Sequence, residues 1–248
     1  MSEKPKITIT QNGPYIVDGA VPLSQDALAK NENGVQDYFD VKDYETEETY
    51  ALCRCGASGH KPFCDGSHEH VHFDGKETAG HSTYAERAEQ YPGQDVVLDD
   101  DNRCAYARLC HQKQGDVWTL TEEENGGELE VEAVEGSWHC PTGRLQHTDR
   151  ATGHVYEQEY EPSIILLEDT EEGVSGPLFV RGGIPLYGSD GTIYEIRNRY
   201  ALCRCGNSSR KPFCDATHVP SQFNDGSPAL QGDFGEHDDS FEAKPKLQ

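Results

Sequence analysis

Residues 50–68 read YALCRCGASGHKPFCDGSH and residues 200–218 read YALCRCGNSSRKPFCDATH. Each stretch sets three thiols and one imidazole at Cys-x-Cys-x8-Cys-x3-His spacing: Cys53, Cys55, Cys64 and His68, then Cys203, Cys205, Cys214 and His218. Three sulfurs and a nitrogen within sixteen residues make a metal site, and its duplication argues against chance. A turning backbone can present Cys53 and Cys55 to one metal atom. Cys64 and His68 are four residues apart, one turn on the same face of a helix. Asp65 then falls in the first turn, where it complements the helix dipole, and the backbone N–H groups of that helix start favour the Cys64 thiolate.

The run Cys-x-Cys-x2-Ser-x3-Pro-x-Cys-Asp-Gly-Ser-His resembles the CDGSH (mitoNEET-type) iron–sulfur family. The first copy fits throughout, with Ser58, Pro62, Phe63, Asp65, Gly66 and Ser67 in place. The resemblance implies a [2Fe–2S] cluster in each copy, with Cys53 and Cys55 on the inner iron and Cys64 and His68 on the outer one. The second copy departs at Ala216, where the family has Gly, and carries Thr217 for Ser. A position that wants positive φ accepts Ala poorly, so the loop geometry is expected to differ there. A zinc-stapled scaffold built on the same Cys3His ligands is the alternative, although a long second arm suits a two-metal centre better. Disulfides are the weakest option. The nine cysteines are an odd number, and the chain opens MSEKPKITIT without a charged-then-apolar leader. Free thiols point to a reducing, cytoplasmic setting.

Between the copies lie Cys104 and Cys110 in RCAYARLCHQ and Cys140 in SWHCPTGRL. Bacterial cluster proteins use Cys-x2-Cys-x2-Cys with a remote Cys-Pro; here Ala107 stands at the middle position. Pro141 is expected to lead the chain away and open a helix. With Trp118, the stretch 95–146 resembles the divergent single-cluster 4Fe–4S ferredoxin domain. Three thiols imply a [3Fe–4S] cluster, or a [4Fe–4S] cluster with a non-cysteine fourth ligand, for which His111 and His139 are candidates. Ordinary surface imidazoles and three scattered buried thiols are the plain alternatives.

The elements that must hold these ligands are sparse. Hydrophobic residues are 34% of 248 and mean hydropathy is −0.78, lean for a chain of this length, so pieces of about 70 residues need metal or cross-links to close a core. No apolar run nears the ~20 residues of a membrane span; SIILLED at 163–169 is strand-sized. The repeat extends past the ligands: GPYIVDGAVPL at 13–23 matches GPLFVRGGIPL at 176–186. The first copy has thirteen extra residues in SQDALAKNENGVQDYFDVKDYETEET, which reads as a surface excursion. Helical signal is modest, at 82–91, 107–112 and 129–135.

The expected fold is α+β, mostly β. It comprises a CDGSH repeat over 1–76, a small ferredoxin-like domain over 77–150, a second CDGSH repeat over 151–226, and a mobile acidic tail over 227–248. Family members with one motif pair into intertwined dimers, so two copies in one chain imply a monomer with an internal pseudo-dimer. The net charge of −24 disfavours nucleic acid and anionic membranes and favours redox partners with basic docking surfaces. Residues 95–135 carry twelve Asp and Glu, among them Asp99–Asp101 and Glu122–Glu124, against three Lys and Arg; they form either a docking patch or a solubilising face. No nucleophile–base constellation or phosphate-binding loop occurs. The expectation is therefore a redox protein rather than an enzyme, an electron carrier that can also serve an oxidoreductase as electron donor or subunit. A cluster or iron transfer and sensing module is the chief alternative.

Overall fold

In the computed structural model, which describes residues 4–123 and 127–236, each ligand loop hangs from the end of a short sheet. The first copy supplies β1 (Lys6–Ile9), β2 (Tyr15–Asp18), β3 (Leu23–Lys30), β4 (Gln36–Tyr44), β5 (Thr49–Leu52) and the one-turn α1 (Ser67–His70). The central stretch gives α2 (Tyr84–Arg87), β6 (Glu89–Pro92), β7 (Val96–Asp100), α3 (Val117–Glu123), α4 (Glu128–Trp138), β8 (Leu145–Asp149) and β9 (Val155–Tyr156). The second copy adds β10 (Ser163–Asp169), β11 (Val174–Arg181), β12 (Leu186–Tyr187) and β13 (Arg199–Leu202). The chain is α+β and mostly β.

The two copies exchange strands. β1, β2 and β5 are antiparallel, and their sheet is completed by β12 of the second copy, parallel to β1 through Ile7–Leu186 and Thr8–Tyr187. Reciprocally, β10, β11 and β13 take β3 from the first copy, parallel to β10 from Leu23–Ile164 to Leu28–Asp169. Parallel neighbours cannot be joined by a hairpin, so each sheet needs both ends of the chain. The core is shared in the same way: Ile7, Ile9, Tyr15, Val17 and Leu52 pack with Ile164, Leu166, Leu178, Val180 and Leu202. The Tyr15 hydroxyl crosses the whole core to donate to the carbonyls of Cys203 (2.9 Å) and Pro212 (3.1 Å).

Alternation decides which sheet receives the central stretch. In β1 only Ile7 and Ile9 are buried, so that sheet has one apolar face. In β10 every residue from Ile164 to Asp169 is buried: Ile164 and Leu166 face the shared core, whereas Ile165 and Leu167 face Leu28, Tyr38, Phe179, Ala107 and Leu109. An unbroken apolar run is what a strand covered on both sides requires. The central unit is the antiparallel sheet β6-β7-β8-β9 with α3 and α4 against it.

Four sequence expectations are corrected. The stretch 24–49 is chiefly the β3–β4 hairpin, not a loop; Leu28 and Tyr38 are buried, and the buried Gln25 donates to Glu168 at 2.8 Å. The described part of the tail is docked: Ser227 caps the short 3-10 turn Pro228–Gln231, Ala229 is buried, and Asp40 donates to the Glu236 carbonyl at 3.0 Å. Residues 237–248 and Glu124 lie outside the described residues. Of the helical segments, 82–91 gives one turn and then a strand, 129–135 lies within α4, and 107–112 is a loop. Pro141 opens no helix; it sits in the turn between α4 and β8. Among the described residues no helix is long and apolar enough to cross a membrane.

Two outcomes follow. Tyr15→Phe leaves two buried carbonyls without their donor and is expected to cost about 1–3 kcal/mol, read by urea unfolding. His147 is fully buried between Thr121 Oγ1 (2.7 Å) and Ser137 Oγ (2.8 Å), and burial lowers its pKa to about 3. The unfolded imidazole takes up its proton near pH 6.5. The contribution is thus present above that pH and lost as pH falls toward the folded value. Thermal unfolding from pH 7 to pH 4 is expected to show a falling midpoint that flattens in His147→Gln.

Candidate metal centres

Both ligand loops are held by the same backbone bonds. Cys53 N–H donates to the Pro62 carbonyl (2.8 Å) and Cys64 N–H to Ala51 (2.9 Å); Cys203 and Cys214 repeat this with Pro212 and Ala201 at 2.8 and 2.9 Å. Ser58 Oγ donates to the Phe63 carbonyl and Ser208 Oγ to Phe213, each at 2.7 Å. Asp65 ties the loop to the turn after it, accepting from Gly59 N–H (2.8 Å) and from Ser67 N–H and Oγ (3.0 and 2.6 Å). Those donors hold its carboxyl well below the usual carboxylate range. Asp215 does the same with Ser209 and Thr217; burial opposes its ionisation, but these donors outweigh it and its pKa falls to about 2.

The helix expected over Cys64–His68 is shorter than its spacing implied. Cys64 precedes α1, whose N-cap Gly66 has φ 88°; in the second copy Ala216 adopts φ 69° and a turn replaces the helix. Ala216 therefore holds the left-handed conformation that a Cβ disfavours. The Cys64 thiolate is not favoured either. Burial raises its pKa, and the backbone donation from Gly66 does not overcome this. Burial likewise pushes Cys55 up to about 11 and Cys214 higher still. Within the second pair, the hydrogen bond between the two thiols lowers Cys203 and raises Cys205, and burial raises both. A bound metal ion would supply the positive charge that ionises such thiols.

The ligands gather in pairs. Cys53 and Cys55 Sγ atoms are 3.7 Å apart and Cys203 and Cys205 3.6 Å; Cys64 Sγ to His68 Nδ1 and Cys214 Sγ to His218 Nδ1 are both 3.4 Å. Two ligands on one tetrahedral metal, with bonds of about 2.3 Å to sulfur and 2.0 Å to nitrogen, lie roughly 3.5–3.8 Å apart. Each pair therefore fits one metal atom. Among the described residues no three or more His, Cys, Asp or Glu converge where a single ion would sit. The donor set thus offers two sulfurs to one metal atom, and a sulfur and a nitrogen to one metal atom, in each copy. The loops also touch back to back: a Cβ on Gly56 would lie 2.6 Å from the Cys205 oxygen, and one on Gly206 2.5 Å from the Cys55 oxygen.

The family model described as iron-binding zinc finger CDGSH type matches residues 12–69 and 175–219. Two segments of the chain are therefore similar to the CDGSH-type family model. No curated protein and no solved structure matched the chain. The two matched segments contain all eight Cys and His of the repeated motif and both exchanged strands, β3 and β12. Cys104, Cys110 and Cys140 lie outside them.

Of these three thiols, the structure brings Cys110 and Cys140 to one apolar cluster, with Leu98, Val117, Leu145 and Trp118. Burial, with the neighbouring Cys140 and Cys104, pushes Cys110 up to about 12. Arg144 is bonded to Asp100 and also feels Cys104 and Cys140. The Cys104–Cys110 loop is wound through left-handed residues Asn102, Tyr106 and Arg108 (φ 62°, 62° and 60°), a conformation costing of order 1 kcal/mol each that persists where surroundings enforce it. Arg108 is pinned by a bidentate pair with Asp169, both bonds 2.8 Å. Ala107 turns away from the trio into the β10–β11 face. His111 is exposed and bridges to Asp116; His139 gives its carbonyl to the Tyr38 hydroxyl at 2.6 Å.

Sequence reading passed over the cations and phenols that set these loops. Arg199 of β13 is buried and donates to the carbonyls of Ser137, Trp138 and Cys140 at 2.7–2.8 Å, satisfying the free end of α4 and fixing Cys140. Arg54 and Arg204, between the first two cysteines of each repeat, are also buried. Their identical placement in Cys-Arg-Cys was the available signal. Cys64→Ser and Cys214→Ser are each expected to remove about one centre's worth of iron, inorganic sulfide and visible absorption. Stoichiometric zinc without sulfide in iron-replete, anaerobically made protein would refute the two-metal assignment.

Proposed function

We propose that the chain is a multi-cluster iron–sulfur electron carrier. Each CDGSH repeat holds one [2Fe–2S] cluster, on Cys53, Cys55, Cys64 and His68 and on Cys203, Cys205, Cys214 and His218. A third cluster, [3Fe–4S] or [4Fe–4S], sits on Cys104, Cys110 and Cys140. The observation that carries this is the pairwise spacing of the eight repeat ligands, two to a metal. Bound there, the clusters supply reversible one-electron chemistry. The protein's own part is to hold the thiols at fixed separation through Ser58, Asp65 and their counterparts, and to screen the second repeat from water.

Support for the third centre is proximity: Cys110 and Cys140 border one apolar cluster, and Ala105, next to Cys104 in the chain, packs directly against Cys214. The central thiols therefore adjoin the second repeat. The acidic surface supports exchange with basic partner proteins. The nine free cysteines support a reducing, cytoplasmic setting. The strand-exchanged core supports a monomeric working unit.

One observation favours cluster or iron transfer as a second activity. Cys64 and His68 are half-buried, and His68 lines an open groove of about 410 Å³ with Gln11, Asn12, Glu69, His72 and Phe73. Anaerobic purification with iron and sulfide quantitation and EPR counts and types the centres. Substituting Ser for Cys104, Cys110 and Cys140 together is expected to remove one distinct EPR signal and its iron while leaving the repeat clusters. Unchanged iron and spectrum would make the trio structural.

A further inference from the structure

Arg54 and Arg204 are equivalent residues in unequal surroundings. Arg54 is 2% exposed and Arg204 3%. Arg204 donates to the Gly176 carbonyl (2.7 Å) and the Leu167 carbonyl (3.0 Å), and it pairs with two carboxylates, Glu168 at 2.6 Å and Asp225. Arg54 donates to the matching carbonyls of Gly13 (3.4 Å) and Thr10 (3.2 Å) and to Gly75. Its remaining neighbours are the Tyr15 and Phe73 rings, with its carbon 5.6 and 5.4 Å from their centroids, and its Nε has no partner. Among the described residues no carboxylate pairs with it.

The difference traces to two positions. Glu168 follows Leu167 as Gln11 follows Thr10, and Asp225 stands two residues after Phe223 as Gly75 stands two after Phe73. The matching bonds confirm the register: Gly75 N–H donates to Asn12 and Asp225 N–H to Ser175, each at 3.0 Å. Both carboxylates of the second repeat are thus replaced by uncharged residues in the first. Burial raises the Glu168 pKa; it also opposes ionisation of Asp225, but Arg204 holds that carboxylate below its usual range. One full neutralising charge therefore persists beside Arg204 even with Glu168 protonated.

We propose that the first repeat takes up an electron before the second, because Arg54 is an uncompensated buried cation beside the first ligand set whereas Arg204 is neutralised by Glu168 and Asp225. This rests on the assignment of each repeat as a cluster site. Reduction adds one negative charge to a centre, and a nearby fixed cation in a low-dielectric interior stabilises it. Solvation works in the same direction. Cys205, Cys214 and His218 are buried, while Cys55, Cys64 and His68 retain partial access to water, which stabilises added charge. The transfer balances within the chain: one electron leaves the reduced second centre and enters the oxidised first one.

The test is a stepwise titration of the full chain with a low-potential one-electron reductant, followed by EPR and visible absorption. The expected result is two waves for the repeats, with at least tenfold preference for the first, about 59 mV for a one-electron couple. The Glu168→Gln, Asp225→Asn double variant should raise only the lower wave and close the gap. Should that buried pair prove necessary for folding, Gln11→Glu at an exposed position and Arg54→Gln should each lower only the upper wave. Coincident waves in protein holding both clusters by iron and sulfide, or movement of the wrong wave, overturn the inequivalence. Missing iron and sulfide overturn the cluster assignment beneath it.

Discussion

Parallel pairing between segments some 140–180 residues apart governs this molecule. Neither β1 nor β10 can complete its sheet with neighbours from its own copy, and the apolar core closes only when both copies contribute. Ligand loops that would otherwise dangle from three-stranded sheets are thereby set back to back, with Gly56 and Gly206 admitting the facing cysteine carbonyls. The Tyr15 hydroxyl bolts one copy's strand to the other copy's loop. Burial of this shared apolar face is the main favourable term available to so polar a chain, and the placement of the ligand loops depends on it.

The central unit breaks the two-fold relation. Its loop lies on the β10–β11 face through Ala107 and Leu109, and Ala105 reaches Cys214, while the first repeat's loop stays open to water. Arg199 serves two masters, lying in the strand that leads to Cys203 while holding the carbonyls that fix Cys140. The second repeat and the central thiols are consequently one packed body, and the first repeat is the part of the ligand system that faces outward.

The pairing of the eight Cys and His side chains was legible because side-chain type and spacing mark them. The strands within 13–23 and 176–186 were legible because alternation bounded by Gly and Pro marks them, but nothing local shows that β3 and β12 leave for the opposite sheet. The β3–β4 hairpin was not: its strands carry buried Gln25, Asp26, Gln36 and Asp37, and composition alone gives such residues to a loop. Nor was the brevity of α1, since i, i+4 spacing also suits a turn closed by a left-handed residue. The shared cluster of Cys110 and Cys140 was not marked by any local pattern, and the irregular loop between Cys104 and Cys110 is held by Asp169, a partner 61 residues from Arg108. Tertiary contacts of that range leave no local pattern.

The covalent link between the copies has a consequence of its own. In a symmetric homodimer every substitution appears twice, so both halves must accept the same side chain and neither can be covered without the other. Here Gln11 can differ from Glu168, Gly75 from Asp225, and Leu178 can stand in β11 where Tyr15 stands in β2. Each copy is an independently editable half of one scaffold, and the polarity of the molecule, with a covered end and an open end, is something that two identical chains in a closed two-fold pair could not write into their sequence.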